Sequence, residues 1–185
     1  MNRTDSIFIR LLDVSDAEAL LELEQQNKDF FCLYTPLREA AFYTLMGQME
    51  RIEKNISLAA EGTLYSFGIF SDNTQKLIGD ISLTEVVRGN LQSCWIGYCL
   101  DKKHNGKGYT TEAVKQAVTY GFDVLGLHRI EAGVMPRNPA SIKVLEKAGF
   151  HKEGIAKENV RINGKWEDHQ ILAIINHSDN SPPVI

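Results

Sequence analysis

The sequence predicts a mixed α/β domain, of the α+β type, whose elements follow the order βααβββαβαββ. The first observation behind this prediction is Cys94–Ala113, where an apolar run ends in a glycine-containing loop and a helical pattern begins at once. The second is Asn163-Gly164, which separates two strand-like segments and is the strongest short signal for a β-hairpin. At 185 residues, the chain has the length of one domain with a substantial core.

The first half of the chain predicts a strand, two helices and two more strands. Ser15 and Glu18 have the spacing of a capping box, so we expect Ser15 to cap the first helix. Thr35-Pro36 predicts the start of a long second helix, because proline is tolerated in a first turn. The expected elements are a strand at Ile7–Leu12, helices reaching about Asn27 and about Ala60, and strands at Leu64–Phe70 and Lys76–Val87.

The second half contains the central strand and loop, two helices and three more strands. The helix after the glycine loop is expected to end near Gly126. Residues 176–185 are polar and contain proline, so we expect a disordered tail after a single domain of residues 1–175. The remaining elements are a strand at His128–Val134, a helix at Pro139–Ala148, and a hairpin of Phe150–Ile162 and Lys165–Ile175.

The composition limits the classes of function. A net charge of −4 argues against a nucleic-acid-binding surface, and no apolar run is long enough to span a bilayer. Cys32, Cys94 and Cys99 make no disulfide framework, and the histidines lack metal-ligand spacing, so we expect no metal site. Because no signal peptide opens the sequence, we expect a cytoplasmic protein.

The loop before the central helix has the properties of an anion site. Gly106 and Gly108 allow positive φ and close approach of a ligand, and the N–H groups of a helix start favour an anion such as pyrophosphate. A dinucleotide fingerprint would need a third glycine where Thr111 stands. A Walker loop would need its lysine after the second glycine, whereas Lys107 precedes Gly108.

Two motifs together resemble the GNAT N-acetyltransferase superfamily. The loop is similar to that family's x-x-G-x-G segment, which binds the pyrophosphate of acetyl-CoA, with Lys103 where Gln or Arg is usual. The segment Asn138–Phe150 resembles the family's N-x-x-S…K-x-G-F motif and follows the loop at the usual distance. On these motifs the chain is identified as a member. The resemblance implies a seven-stranded, mostly antiparallel sheet in which the strands flanking the loop helix are parallel and splayed.

The resemblance also implies where acetyl-CoA binds. Its pantetheine arm would lie between the splayed strands, and the loop backbone would hold the pyrophosphate. Asn138 and Ser141 are similar to residues near the pantetheine and the sulfur, and Lys143 or Lys147 could meet the adenosine phosphate. On the strand and loop, the implied binding residues are Tyr98, Cys99, Leu100, Lys103, Asn105, Gly106, Lys107, Gly108, Tyr109 and Thr110.

Ser141 is the candidate for protonating the departing thiolate. The alternative is that Ser141 is an ordinary residue at a helix start. In many relatives a tyrosine does this work, but no tyrosine stands in the second motif or after it.

The general base is a choice between carboxylates. The closest resemblance is to the ribosomal-protein N-terminal acetyltransferases (the RimJ/RimL type), some of which carry a glutamate on the first hairpin arm. Val160 stands at that position here, so Glu158, two residues earlier, is expected to substitute. Glu131 and Glu85 are the other candidates.

The resemblance favours acetylation of a protein N-terminus, in particular that of a ribosomal protein. Acetylation of a small amine (a polyamine, amino acid or antibiotic) and a non-catalytic acyl-CoA-binding module stay open. The strand Lys165–Ile175 is expected to end the sheet, and related enzymes pair through this region, so we expect a homodimer.

Overall fold

A seven-stranded sheet in the order β1-β2-β3-β4-β5-β7-β6 organises the computed structural model, which describes residues 6–178. Short 3₁₀ turns aside, the elements follow the predicted order. Helix α3 continues into a π-helical turn at Tyr120–Val124. The elements are β1 Ile7–Leu11, α1 Ala17–Phe31, α2 Leu45–Ala60, β2 Tyr65–Ser71, β3 Leu77–Val87, β4 Ser93–Leu100, α3 Tyr109–Thr119, β5 Arg129–Val134, α4 Pro139–Lys147, β6 His151–Ile162 and β7 Lys165–Ile175.

The parallel strands β4 and β5 pair only briefly. All other neighbouring strands are antiparallel, whereas these two run parallel and pair at three positions, from Ser93 with Arg129 to Trp95 with Glu131. Beyond Trp95 they separate, which confirms the expected splay. The gap between them lies beside the start of α3.

The two faces of the sheet carry separate hydrophobic clusters. On one face, α3 and α4 bury residues such as Val114 and Leu145. On the other, α1 and α2 bury Leu20 and Ile52. None of the helices within residues 6–178 is long and apolar enough to cross a membrane.

The capping box lies earlier than the sequence predicted, at the 3₁₀ turn Val14–Asp16 that leads into α1. Asp13, not Ser15, is the cap: its side chain accepts from the Ser15 N–H at 2.8 Å, and the Asp13 N–H donates to Asp16 at 3.0 Å. Asp16 also forms an ion pair with Arg10 at 2.7 Å. The cap forms at this acidic pair because the Asp16 carboxylate both accepts from the Asp13 N–H and pairs with Arg10 of β1.

Helix α2 begins at Leu45, so the predicted start at Thr35-Pro36 is wrong. Thr35 instead closes the preceding helix, since its hydroxyl donates to the Phe31 carbonyl at 2.9 Å. The true cap is Thr44, which has extended backbone angles and accepts from the Gly47 N–H at 3.1 Å.

The hairpin forms as predicted, but its second arm is not the edge of the sheet. Strand β7 lies between β5 and β6, so β6 is the edge strand and the expectation for Lys165–Ile175 is corrected. Asn163 and Gly164 have φ values of +50° and +87°, as a two-residue hairpin turn requires.

The predicted disordered tail begins with an ordered residue. The Asn176 N–H donates to the His128 carbonyl at 2.8 Å. Residues 179–185 lie outside the described part of the chain.

Candidate active site

A cavity of about 560 Å³ opens where β4 and β5 diverge. Its walls come from the ends of these strands, the glycine loop, α3, α4, β7 and the last turn of α1. Lys103 and Lys107 do not line it; both are exposed, and Lys103 Nζ lies 3.4 Å from Gln26 Oε1. The predicted site residues that do line it are Tyr98, Cys99, Leu100, Asn105, Gly106, Gly108, Tyr109, Thr110, Asn138, Ser141, Lys143 and Lys147.

The glycine loop has the conformation that an anion site needs. Gly106 and Gly108 have φ values of +79° and +84°, and Gly108 is the residue before α3. His104 borders the cavity here, and its Nδ1 is buried without a hydrogen-bond partner among the described residues. The N–H groups at the start of α3 and this unpaired nitrogen fit the oxygens of a phosphate ligand.

Two hydroxyl groups meet at the α4 side of the cavity. Asn138 caps α4 by accepting from the Ser141 N–H at 3.2 Å. Tyr98 Oη lies 2.8 Å from Ser141 Oγ and 3.3 Å from the Ser141 carbonyl oxygen. Burial raises the pKa of Tyr98 to about 12, although its hydrogen bond with Ser141 acts in the opposite direction. Tyr98 is therefore neutral at physiological pH and keeps its one proton to donate.

The opposite side of the cavity is apolar and aromatic. Phe30 and Phe31 at the end of α1 border it, as do Tyr34 in the turn after that helix and His169 from β7. His169 is buried, and its ring packs close to Gly133. Sequence reasoning missed His169 because only the insertion of β7 beside β5 brings it to the cavity.

The structure brings none of the proposed catalytic glutamates to the cavity. Glu131 forms an ion pair with Arg129 at 2.7 Å. Glu158 is exposed in an irregular stretch of β6, with φ of +47°, so the strand alternation assumed between Glu158 and Val160 does not hold there. Glu85 is exposed in a similar irregularity of β3.

Neither Cys99, which lines the cavity, nor Cys94, which is buried in the core, is a strong nucleophile. Burial and the charges of Asp80 and Glu24 raise the pKa of the Cys99 thiol. Burial likewise raises the pKa of Cys94 to about 12. Because the thiolate is the reactive form, neither residue is suited to carry an acyl group at neutral pH.

Comparisons with known proteins agree with this geometry. Residues 6–151 match the model of the acetyltransferase (GNAT) domain. The chain is 53% identical to the probable N-acetyltransferase YjcK of Bacillus subtilis (strain 168), covering 97% of this chain and 99% of that protein. It is 33% identical to the ribosomal protein uS5-alanine N-acetyltransferase of Escherichia coli (strain K12), covering 92% and 88%. The crystal structure of the ribosomal-protein-S5-alanine acetyltransferase from Vibrio fischeri superimposes with a TM-score of 0.91 at 33% identity, covering 97% and 98%.

Proposed function

The chain belongs to the GNAT acetyltransferase family, and on that premise we propose that it acetylates the N-terminal amine of a protein, with ribosomal proteins as the acceptor class. Membership makes it an enzyme that transfers an acetyl group from acetyl-CoA. The choice of acceptor draws support from relatives that bear the name of ribosomal-protein acetyltransferases. We propose that it acts in the cytoplasm, where such proteins are made.

The chemistry of the cavity wall carries this proposal. Among the described residues that line the cavity, none is a carboxylate, and the α1 side is built from aromatic rings. A polyamine would bring further ammonium groups that need acidic partners. The terminus of a polypeptide brings one amine, and its ordinary pKa of about 7.7–8.0 leaves part of it neutral at physiological pH.

Different residues around the cavity bind acetyl-CoA and protonate its sulfur. Acetyl-CoA supplies the acetyl group as an activated thioester. The glycine loop and the start of α3 hold its pyrophosphate, with Lys143 and Lys147 adding positive charge at the rim. The Ser141 hydroxyl gives its proton to the sulfur. Either hydroxyl of the Tyr98–Ser141 pair can be the donor, and with Tyr98 as the donor the Ser141 proton is free to point into the cavity.

A competition between acceptors tests the proposal. The enzyme is incubated with acetyl-CoA and peptides from ribosomal-protein N-termini, the same peptides with blocked α-amines and an internal lysine, and spermidine. Mass spectrometry should find acetyl groups at the free α-amines and little on the other two. Faster acetylation of spermidine or of the lysine would refute the proposed acceptor.

We further propose a homodimer that forms through the edge strand β6. Ile155 and Val160 on this strand and Trp166 on its neighbour are large, apolar and exposed, by 43%, 38% and 54%. A long edge strand with exposed apolar side chains is usually covered by a partner.

A further inference from the structure

We infer that His169 is a catalytic residue, whose Nε2 accepts the proton that the acceptor amine loses. The inference deepens the proposed acetyl transfer and rests on it. The three glutamates that the sequence predicted as candidates for this role, Glu158, Glu131 and Glu85, do not line the cavity.

His169 borders the side of the cavity opposite to the hydroxyl pair. It is 7% exposed, and its Cδ2 would lie 3.6 Å from a β-carbon placed on Gly133. The same position is 3.7 Å from the ring of Trp95, so Trp95, Gly133 and His169 share one face of the sheet. Tyr98 is three residues after Trp95 on β4 and therefore points to the other face. An amine that enters from the α1 side would meet the ring of His169.

The hydrogen bond of the ring determines which nitrogen is free. His169 Nδ1 lies 3.2 Å from the carbonyl oxygen of Glu167. A carbonyl oxygen only accepts, so Nδ1 carries the proton in the neutral ring, and Nε2 keeps its lone pair. Nε2 has no hydrogen-bond partner among residues 6–178.

The surroundings leave this lone pair available. Trp95, Gly133 and Ala156, from the three strands around the ring, carry no charge. The charged neighbours along β7 are already paired. Glu167 lies 3.4 Å from Arg137, and Asp168 lies 2.7 Å from Lys157.

The proton balance closes with this assignment. The lone pair of the amine nitrogen forms the bond to the acetyl carbon, the carbon–sulfur bond breaks, and its electron pair goes to sulfur. The nitrogen loses one proton to His169 Nε2, and the sulfur gains one from Ser141. The imidazolium then returns its proton to solvent and Ser141 takes one up, so the products are an amide and a thiol.

Substitution of the ring tests the role in turnover. His169→Asn keeps a donor near Nδ1 but removes Nε2, and we expect kcat to fall roughly 10²-fold or more. The Kd for acetyl-CoA, measured by calorimetry, should change less than about twofold, because the ring acts on the acceptor amine and not on acetyl-CoA. His151→Asn, at an exposed histidine on β6, is the matched control and should leave kcat unchanged. Wild-type turnover in His169→Asn would overturn the inference.

Nitrogen-15 NMR of the free wild-type protein tests the tautomer without any turnover. We expect His169 to carry its proton on Nδ1, and a dominant Nε2–H form would overturn the inference even if His169→Asn fails to fold. The kinetic assay uses whichever acceptor the wild type acetylates fastest. If that acceptor is a small amine, the proposed acceptor class fails while the role of His169 is still tested.

Discussion

At the scale of single residues, the structure brings the Tyr98 hydroxyl to Ser141, a contact that the sequence motifs did not predict. Tyr98 was expected only to bind acetyl-CoA, because it lies on the strand before the glycine loop and not in the second motif or after it. Its hydroxyl reaches Ser141 because α4 packs beside the separated end of β4. Motif spacing describes the local chain, whereas this contact joins residues 43 positions apart.

Replacing Ser141 by alanine should separate a proton donor from an ordinary helix residue. We expect kcat to fall roughly 10²–10⁴-fold, with little change in acetyl-CoA affinity, because the hydroxyl acts as charge appears on sulfur. Stability should change little, since Asn138 still caps α4. Steady-state kinetics, calorimetry and thermal melting measure the three quantities.

Two further variants sharpen this result. Ser57→Ala removes another helix serine, whose hydroxyl donates to the backbone carbonyl of Glu53 in α2. This variant should leave turnover unchanged. Tyr98→Phe should lower kcat in the wild type but add little in the Ser141→Ala background, because Tyr98 acts through Ser141. Full additivity of the two losses would contradict the hydroxyl pair.

At the scale of elements, the glycine loop and the start of α3 form one unit. Gly108 has φ of +84°, and a β-carbon placed there would meet no protein atom within 4 Å. A side chain at Gly108 would therefore project into the space beside the helix start.

Gly108→Val should weaken acetyl-CoA binding by at least tenfold, about 1.4 kcal/mol, because the side chain blocks close approach of the pyrophosphate to the loop. Calorimetry measures the Kd. Gly126→Val is the matched control, since Gly126 has φ of +63° with open space around it but lies outside the cavity. Both variants should lose about 1–2 kcal/mol of stability from backbone strain. Equal acetyl-CoA affinities in the two variants would remove the phosphate role of the loop.

The helices α1 and α2 are joined to β3 by a cluster of charged side chains. Arg51 of α2 lies between Glu24 of α1, at 3.0 Å, and Asp80 of β3. Burial and the charge of Asp80 raise the pKa of Glu24, although Arg51 opposes both. The cluster fixes the helices that form the aromatic side of the cavity.

Arg51→Met should destabilise the fold by about 3–5 kcal/mol at neutral pH, because it leaves two buried carboxylates without a cation. Urea unfolding measures the loss. Without Arg51 the folded-state pKa of Glu24, which burial already raises, rises further because the nearby positive charge that opposes the shift is gone. The stability deficit should therefore be largest at neutral pH and shrink as the pH falls toward about 4.

An exposed ion pair provides the comparison. Lys152 lies 2.8 Å from Glu146, and both side chains are nearly half exposed. Lys152→Met should cost at most about 1 kcal/mol. A loss in Arg51→Met no larger than this would mean that the cluster does not hold the helices.

At the scale of the whole molecule, the sequence was sufficient to predict the order of the elements along the chain but not which strands lie side by side in the sheet. The hairpin was predictable because Asn163-Gly164 is a local signal, yet nothing local determines which arm pairs with β5. That pairing decides that β6 is the edge, and it brings His169 to the cavity. The predicted start of α2 was wrong for a related reason, because the Thr35 hydroxyl donates to the Phe31 carbonyl at the end of α1. Local patterns predicted elements, and long-range pairing determined the site.

The exposed edge of β6 predicts a homodimer. Light scattering at micromolar concentration should give twice the chain mass of 20.8 kDa. Ile155→Lys, on the edge, should shift the protein toward monomer, because a buried unpaired charge is costly. Leu91→Lys, at a residue 61% exposed just before β4, is the control and should keep the mass. A wild-type monomer would contradict the proposal.

The brief pairing of β4 and β5 has a thermodynamic consequence. Past Trp95, the side of β4 toward β5 borders the cavity. A ligand that binds there binds the folded chain and not the unfolded chain. Such a ligand raises the free energy of unfolding by RT ln(1 + [L]/Kd), about 2.7 kcal/mol at one hundred times Kd. Amide protons along β4 would then exchange with solvent more slowly. The survival of the folded enzyme is in this way coupled to the supply of acetyl-CoA around it.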